Sequence, residues 1–102
     1  DRFAYVAMEG ERLVGFADMD HEGYIDRLFV SADHQRMGFA RQLFERLIQD
    51  ALRNDILEMT TEASITARPF FQSMGFEVEQ KQSVICRGVA LTNYRMRKFI
   101  QE

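Results

Sequence analysis

Apolar residues in this chain fall into six short strand-like runs and one helical stripe. Phe3 to Met8 and Leu13 to Met19 are rich in strand formers and flank the turn signal Glu9-Gly10-Glu11, which predicts a hairpin. Asp20 to Gly23 is a second polar turn, and Tyr24 to Val30 extends the meander by a third strand. Strict alternation puts Tyr24, Asp26 and Leu28 on one face of that strand. Leu43, Phe44, Leu47, Ile48, Ala51 and Leu52 then recur at helical spacing, with Arg41, Glu45, Arg46, Gln49, Asp50 and Arg53 on the outer side and Asn54 as a stop. Ile56 to Glu62 reads as a fourth strand. Because it follows a helix, strands three and four are expected to be parallel neighbours joined by a right-handed crossover.

Ser64 or Thr66 can cap a short second helix ending at Gly75, and with Thr66 as the cap Pro69 falls in its first turn, where the missing amide costs little. Phe70, Phe71 and Met74 form its buried side. Phe76 to Ile85 and Val89 to Phe99 flank Cys86-Arg87-Gly88 and suggest a closing hairpin, with Arg95, Arg97 and Lys98 protecting an edge strand. The order β-β-β-α-β-α-β-β places the chain in the α/β (α+β) class as a mixed sheet, one domain over residues 1–102.

Composition narrows the chemistry. At 102 residues and 46% hydrophobic, the chain can bury one core. Thirteen basic residues are dispersed among sixteen acidic ones for a net charge of -3, which argues against a nucleic-acid surface. No apolar run approaches a membrane span, and the start shows neither a signal-peptide pattern nor an initiator methionine. Cys86 is the sole cysteine, and His21 and His34 lie far apart in sequence, so neither a disulfide nor a metal site is expected and a reducing, cytoplasmic setting fits. Met8, Met19, Met59, Met74 and Met96 read as core gap-fillers, and His34 as part of a solvent-facing loop.

The candidate chemistry sits in Gln35-Arg36-Met37-Gly38-Phe39-Ala40, between the third strand and the long helix. Glycine lets backbone approach a ligand, and the free amides and positive dipole end of a helix's first turn attract an anion. Such a segment can hold a diphosphate without a metal.

With Gln35-x-x-Gly38-x-Ala40 in that context and Ala67-x-Pro69-Phe70-Phe71-x-x-x-Gly75-Phe76 in the second helix, the chain resembles the GNAT superfamily of acetyl-CoA-dependent N-acyltransferases over nearly its whole length. The resemblance implies a V-shaped opening between strands three and four that takes the pantetheine arm along Leu28 and Val30, with the Leu28 amide polarising the thioester carbonyl. It implies a pyrophosphate on the amides of Met37, Gly38, Ala40 and Arg41, with Gln35 in the motif, side-chain charge from Arg36 and Arg41, and Phe71 at the cofactor. Acetyl-CoA is then the acyl donor, and the acceptor is a primary amine on a small molecule or peptide that attacks directly.

Amine attack calls for a carboxylate that can take a proton. Asp26 is the first candidate, Glu22 and Glu62 are alternatives, and Tyr24 occupies the position of a base in some members. The tyrosine that many members carry in the second helix is replaced by Phe71, so Tyr94, Tyr24 or a water is left to protonate the departing thiolate. The family's first strand and two helices have no counterpart here. An uncovered apolar sheet face is expected to bring copies together as a homodimer or higher oligomer. A non-catalytic acyl-CoA-binding or oligomerisation module derived from the same core is the alternative.

Overall fold

Residues 2–35 and 37–100 are described by a computed structural model, and they form a six-stranded sheet with both longer helices on one face. In chain order the elements are β1 (Phe3–Glu9), β2 (Arg12–Met19), β3 (Tyr24–Val30), a 3-10 turn (Ala32–His34), α1 (Phe39–Arg53), β4 (Glu58–Ser64), α2 (Arg68–Ser73), β5 (Glu77–Cys86) and β6 (Val89–Phe99). The expected order holds throughout. Strands lie side by side as β1-β2-β3-β4-β6-β5, antiparallel except for the β3 and β4 pair, which α1 joins by a crossover.

Local chemistry explains where the elements stop. Asn54 caps α1, its side-chain and backbone nitrogens both donating to the Asp50 carbonyl, while Asp55 takes the left-handed conformation and Ile56 bonds back to Ala51. α2 ends the same way: Gly75 sits at φ +94°, its amide donates to Gln72 and that of Phe76 to Phe71. At the start of α2 the Ser64 hydroxyl accepts the Ala67 amide, so Ser64 fixes the entry and Thr66 caps nothing. Arg87 and Gly88, both at positive φ, make the two-residue turn between β5 and β6.

The core fills the space between helices and sheet. Leu43, Phe44, Leu47 and Ala51 of α1 meet Ala17, Met19 and Ile25, and Phe71 of α2 meets Phe76, whose ring lies 5.7 Å from that of Phe44. The opposite face is open. Val6, Phe16 and Phe29 stand in register across β1, β2 and β3 there, with Val6 and Phe29 half exposed.

Four expectations need correction. β6 is an interior strand, so Arg95, Arg97 and Lys98 guard no edge; Arg97 instead reaches Glu79 at 3.0 Å and Glu58 at 3.9 Å across its two neighbours. Asp50 is buried rather than decorating the outside of α1, and its carboxylate accepts the Tyr5 hydroxyl at 2.5 Å, which holds the Tyr5 phenol above its usual range. Met8 is half exposed and fills no core gap. Tyr24, Asp26 and Leu28 do not share one face: a bulge intervenes, and Ile25 and Leu28 both pack on the helix side.

Candidate functional site

β3 and β4 pair at Tyr24 with Thr60 and at Ile25 with Thr61, and then part. The junction is pinned by the Thr60 amide on the Gly23 carbonyl at 2.9 Å and the Thr61 hydroxyl on the Ile25 carbonyl at 3.0 Å. The bulge supplies the divergence. Asp18 faces Arg27 while Met19 faces Ile25, so Asp26 is an extra residue on β3, and such an insertion bends and twists the strand that carries it. Beyond it a cleft of about 560 Å³ opens between β3, the start of α1 and α2.

Gly38 stands where the cleft meets α1. It holds φ +85° and ψ 1°, a backbone state that residues with a Cβ avoid, and its carbonyl accepts the first helical bond from Gln42 at 3.0 Å. The amides of Phe39, Ala40 and Arg41 therefore have no intrahelical acceptor, and the positive end of the α1 dipole faces the cleft. Across from them, Ala67, Phe70, Phe71 and Met74 form an apolar wall edged by Ser64, Thr66 and Ser73.

Of the residues singled out for cofactor contact, Leu28, Val30, Gln35, Gly38, Ala40 and Arg41 line this one cleft, and so does Phe71. Met37 is exposed beside it without lining it. Arg36 lies outside the described residues. Phe71 is buried between Phe70 and Phe76, with ring centres 5.5 and 5.2 Å away, so the α2 side of the cleft presents no hydroxyl at that position.

None of the catalytic candidates Asp26, Tyr24, Tyr94, Glu22 and Glu62 lines the cleft itself. Tyr94 is buried on the helix side of β6 beneath the Arg68 guanidinium, 4.6 Å from its ring centre, and lines no part of the cleft. Tyr24 and Asp26 lie at the closed end of the gap. The Tyr24 hydroxyl donates to Glu62 at 3.3 Å, and the Gln82 amide donates both to Glu62 at 3.0 Å and to Asn93 at 2.9 Å. Burial, the charge of Glu62 and its hydrogen bond, and then the charges of Asp26 and Asp20 raise the Tyr24 phenol above its usual value. Glu22 lies in the β2 to β3 turn, its amide donating to Asp20 at 2.9 Å.

His34 was not legible as part of the site. Instead of facing solvent it is buried on the cleft wall, with Ser31 Oγ 2.7 Å from Nδ1 and Glu9 Oε1 3.0 Å from Nε2. The pair ties the β1 to β2 turn to the loop that enters α1. Its only sequence signal is a position four residues ahead of Gly38. Among the described residues, no group of three or more His, Cys, Asp or Glu is placed to hold a metal, and no helix is long and apolar enough to cross a membrane.

Comparison with known proteins points the same way. A family model described as an acetyltransferase (GNAT) domain matches residues 1–98. The uncharacterized N-acetyltransferase YafP of Escherichia coli K12 is 42% identical over 93 residues, 91% of this chain and 58% of the relative. Among solved structures, a GCN5-related N-acetyltransferase from Rhodopseudomonas palustris superposes with a TM-score of 0.90 at 28% identity, covering 96% of this chain and 61% of that one. The putative acetyltransferase YncA of Salmonella typhimurium, solved with its cofactor acetyl-CoA, shares the fold at a TM-score of 0.81 and 21% identity, covering 99% of this chain and 66% of that one. The chain thus spans about three fifths of the length of YafP and of the Rhodopseudomonas protein. Strand order, the parted parallel pair and the family match agree, and the chain belongs to the GNAT acetyltransferase family.

Proposed function

We propose that this chain binds acetyl-CoA in the cleft between β3 and β4 and transfers its acetyl group to a primary amine of a small molecule or peptide. The observation that carries this reading is the parting of the two strands just ahead of a helix start with free amides, which offers an elongated acyl-CoA both an unpaired strand edge and an anion cradle. In this reading the pyrophosphate lies on the amides of Met37, Gly38, Ala40 and Arg41. Gln35 and the Arg41 side chain flank it, and the pantetheine arm follows Leu28 and Val30 toward Phe71. The Leu28 amide donates to the thioester carbonyl as negative charge develops there.

The amine approaches the closed end of the gap, where Tyr24 and Asp26 stand. CoA leaves as a thiolate with an unperturbed thiol pKa of about 8.5, so it departs without a dedicated acid, and water returns the proton. A reducing cytoplasm suits the exposed, free Cys86, and assembly of copies suits the half-exposed Val6 and Phe29 on the open sheet face.

Gly38→Glu tests the cradle, because it sets a carboxylate against the phosphates. Calorimetry should show acetyl-CoA binding lost, and tight binding by that variant sinks the assignment. A second reading, acyl-CoA binding without transfer, draws on Phe71, which carries no hydroxyl at its place in the cleft wall. Release of CoA thiol in the presence of amines separates the two.

A further inference from the structure

We infer that Glu62 is the carboxylate that takes the proton from the acceptor amine, an inference that rests on the acetyl-transfer reading above. β4 is paired with β3 only as far as Thr61, so Glu62 is its first residue past the junction, at the inner end of the gap. Thr61 and Ala63 on either side of it are buried on the helix side, and alternation turns Glu62 to the open face of the sheet, opposite Arg95 of β6.

Both of its carboxylate oxygens are held. Tyr24 of β3 donates to Oε1, and Gln82 of β5 donates to Oε2 while also reaching Asn93 of β6. Four strands thus converge on one exposed glutamate. Ordering a long surface side chain costs rotamer freedom, and surface polar contacts return little stability, so this degree of fixation suits a group that must present its oxygens in one place. Asp26 is the other carboxylate at the gap. It is exposed, and among the described residues no hydrogen bond or ion pair holds it.

The charged and titratable groups at Glu62 are Tyr24 from β3, which also feels the charges of Asp26 and Asp20, and Arg95 from β6. Tyr24 stays protonated because its phenol is raised, so it orients the carboxylate as a donor and does not compete for the proton. In the step itself the amine nitrogen attacks the thioester carbonyl carbon and the C–N bond forms. The C–S bond breaks and CoA departs as thiolate with the bonding pair. The proton shed by nitrogen passes to Glu62, directly or through one water, and then to solvent, which also protonates the thiolate.

The test compares Glu62→Gln, Glu62→Asp and Asp26→Asn with the unaltered chain, using spermidine, kanamycin and an alanine-led peptide as acceptors. Thiol release is followed across pH, and acetyl-CoA affinity and melting temperature are measured alongside. Glu62→Gln should lower kcat/KM by about a hundredfold or more and remove the acid limb of its pH profile, with acetyl-CoA affinity and melting unchanged and partial recovery in Glu62→Asp. Activity of Glu62→Gln within about threefold of the unaltered chain overturns the inference, as does an acid limb that vanishes in Asp26→Asn and persists in Glu62→Gln. An unaltered chain that binds acetyl-CoA yet acetylates none of the acceptors overturns the transfer reading, and the role of Glu62 with it.

Discussion

Gly38→Ala separates what the backbone needs from what a ligand needs. At φ +85° and ψ 1° an L-residue is strained by roughly 1–2 kcal/mol, offset in part by the narrower unfolded ensemble of alanine, for a net loss of about 1 kcal/mol. In a domain of this size that lowers the melting temperature by about 4 to 8 °C. Among the described residues beyond its chain neighbours nothing lies within 4 Å of the added methyl, so no steric contribution follows from packing. Gly88→Ala is the matched control: at φ +79°, also with nothing within 4 Å, it carries the same backbone strain in the β5 to β6 turn, away from the cleft. The two variants should melt alike and bind differently. A methyl on Gly38 stands at the cleft that Gly38 lines, and losing one amide to phosphate bond, worth about 1.5 to 3 kcal/mol, weakens acetyl-CoA about tenfold to a hundredfold. Calorimetric titration with acetyl-CoA and thermal melts of both variants decide the matter. Equal, undiminished affinity in the two would refute the cradle, and an unchanged melt in Gly38→Ala would refute the strain.

Two further outcomes follow from the sheet. The Asp18 carboxylate is buried on the open face; burial alone raises its pKa, but bonds from Arg2 at 3.1 Å and Arg27 at 3.2 Å outweigh that and hold it below the usual range. Its contribution is therefore complete above the unfolded carboxylate value of about 3.9 and fades as pH falls through the lower folded value. Asp18→Asn should cost about 3 kcal/mol in urea melts at neutral pH, and the gap from the unaltered chain should close in strong acid; a gap independent of pH contradicts the ion pairing. Gly23→Ala should be harsher, since its methyl would lie 2.3 Å from the Glu58 carbonyl and 2.8 Å from Ile56 at φ +95°. A loss of at least about 3 kcal/mol, read from urea midpoints, is expected, and a loss under about 1 kcal/mol would show that the strand junction yields easily.

The order of elements was legible because each run announces its own period and end. Leu43 to Leu52 repeats at helical spacing, Asn54 and Gly75 stop the helices, and β1 to β3 are short and rich in Val, Phe and Tyr. What was not legible depends on partners distant in sequence. Asp50 reads as polar, yet Tyr5, forty-five positions earlier, gives it a buried hydrogen bond. Arg97 reads as an edge charge, yet it lies between Glu58 and Glu79 because β6 inserts between β4 and β5, a choice no local pattern encodes. His34 reads as loop, and its burial depends on Glu9.

The bulge at Asp26 is the least legible feature and the one on which the candidate site most depends. Unbroken alternation would have put Asp26 and Leu28 on one face and left β3 free to pair with β4 along its length. One extra residue undoes both. It turns Leu28 and Val30 toward the helix side and bends β3 away from β4 directly after Ile25. A strand edge without a partner leaves backbone donors and acceptors to be satisfied by water or by a ligand that carries amides of its own. The same divergence places Glu62, the first residue of β4 past its pairing with β3, across the gap from that edge. The position that best marks the mechanism is thus a local insertion in β3, and its effects reach both the strand that would hold the donor and the carboxylate that would serve the acceptor.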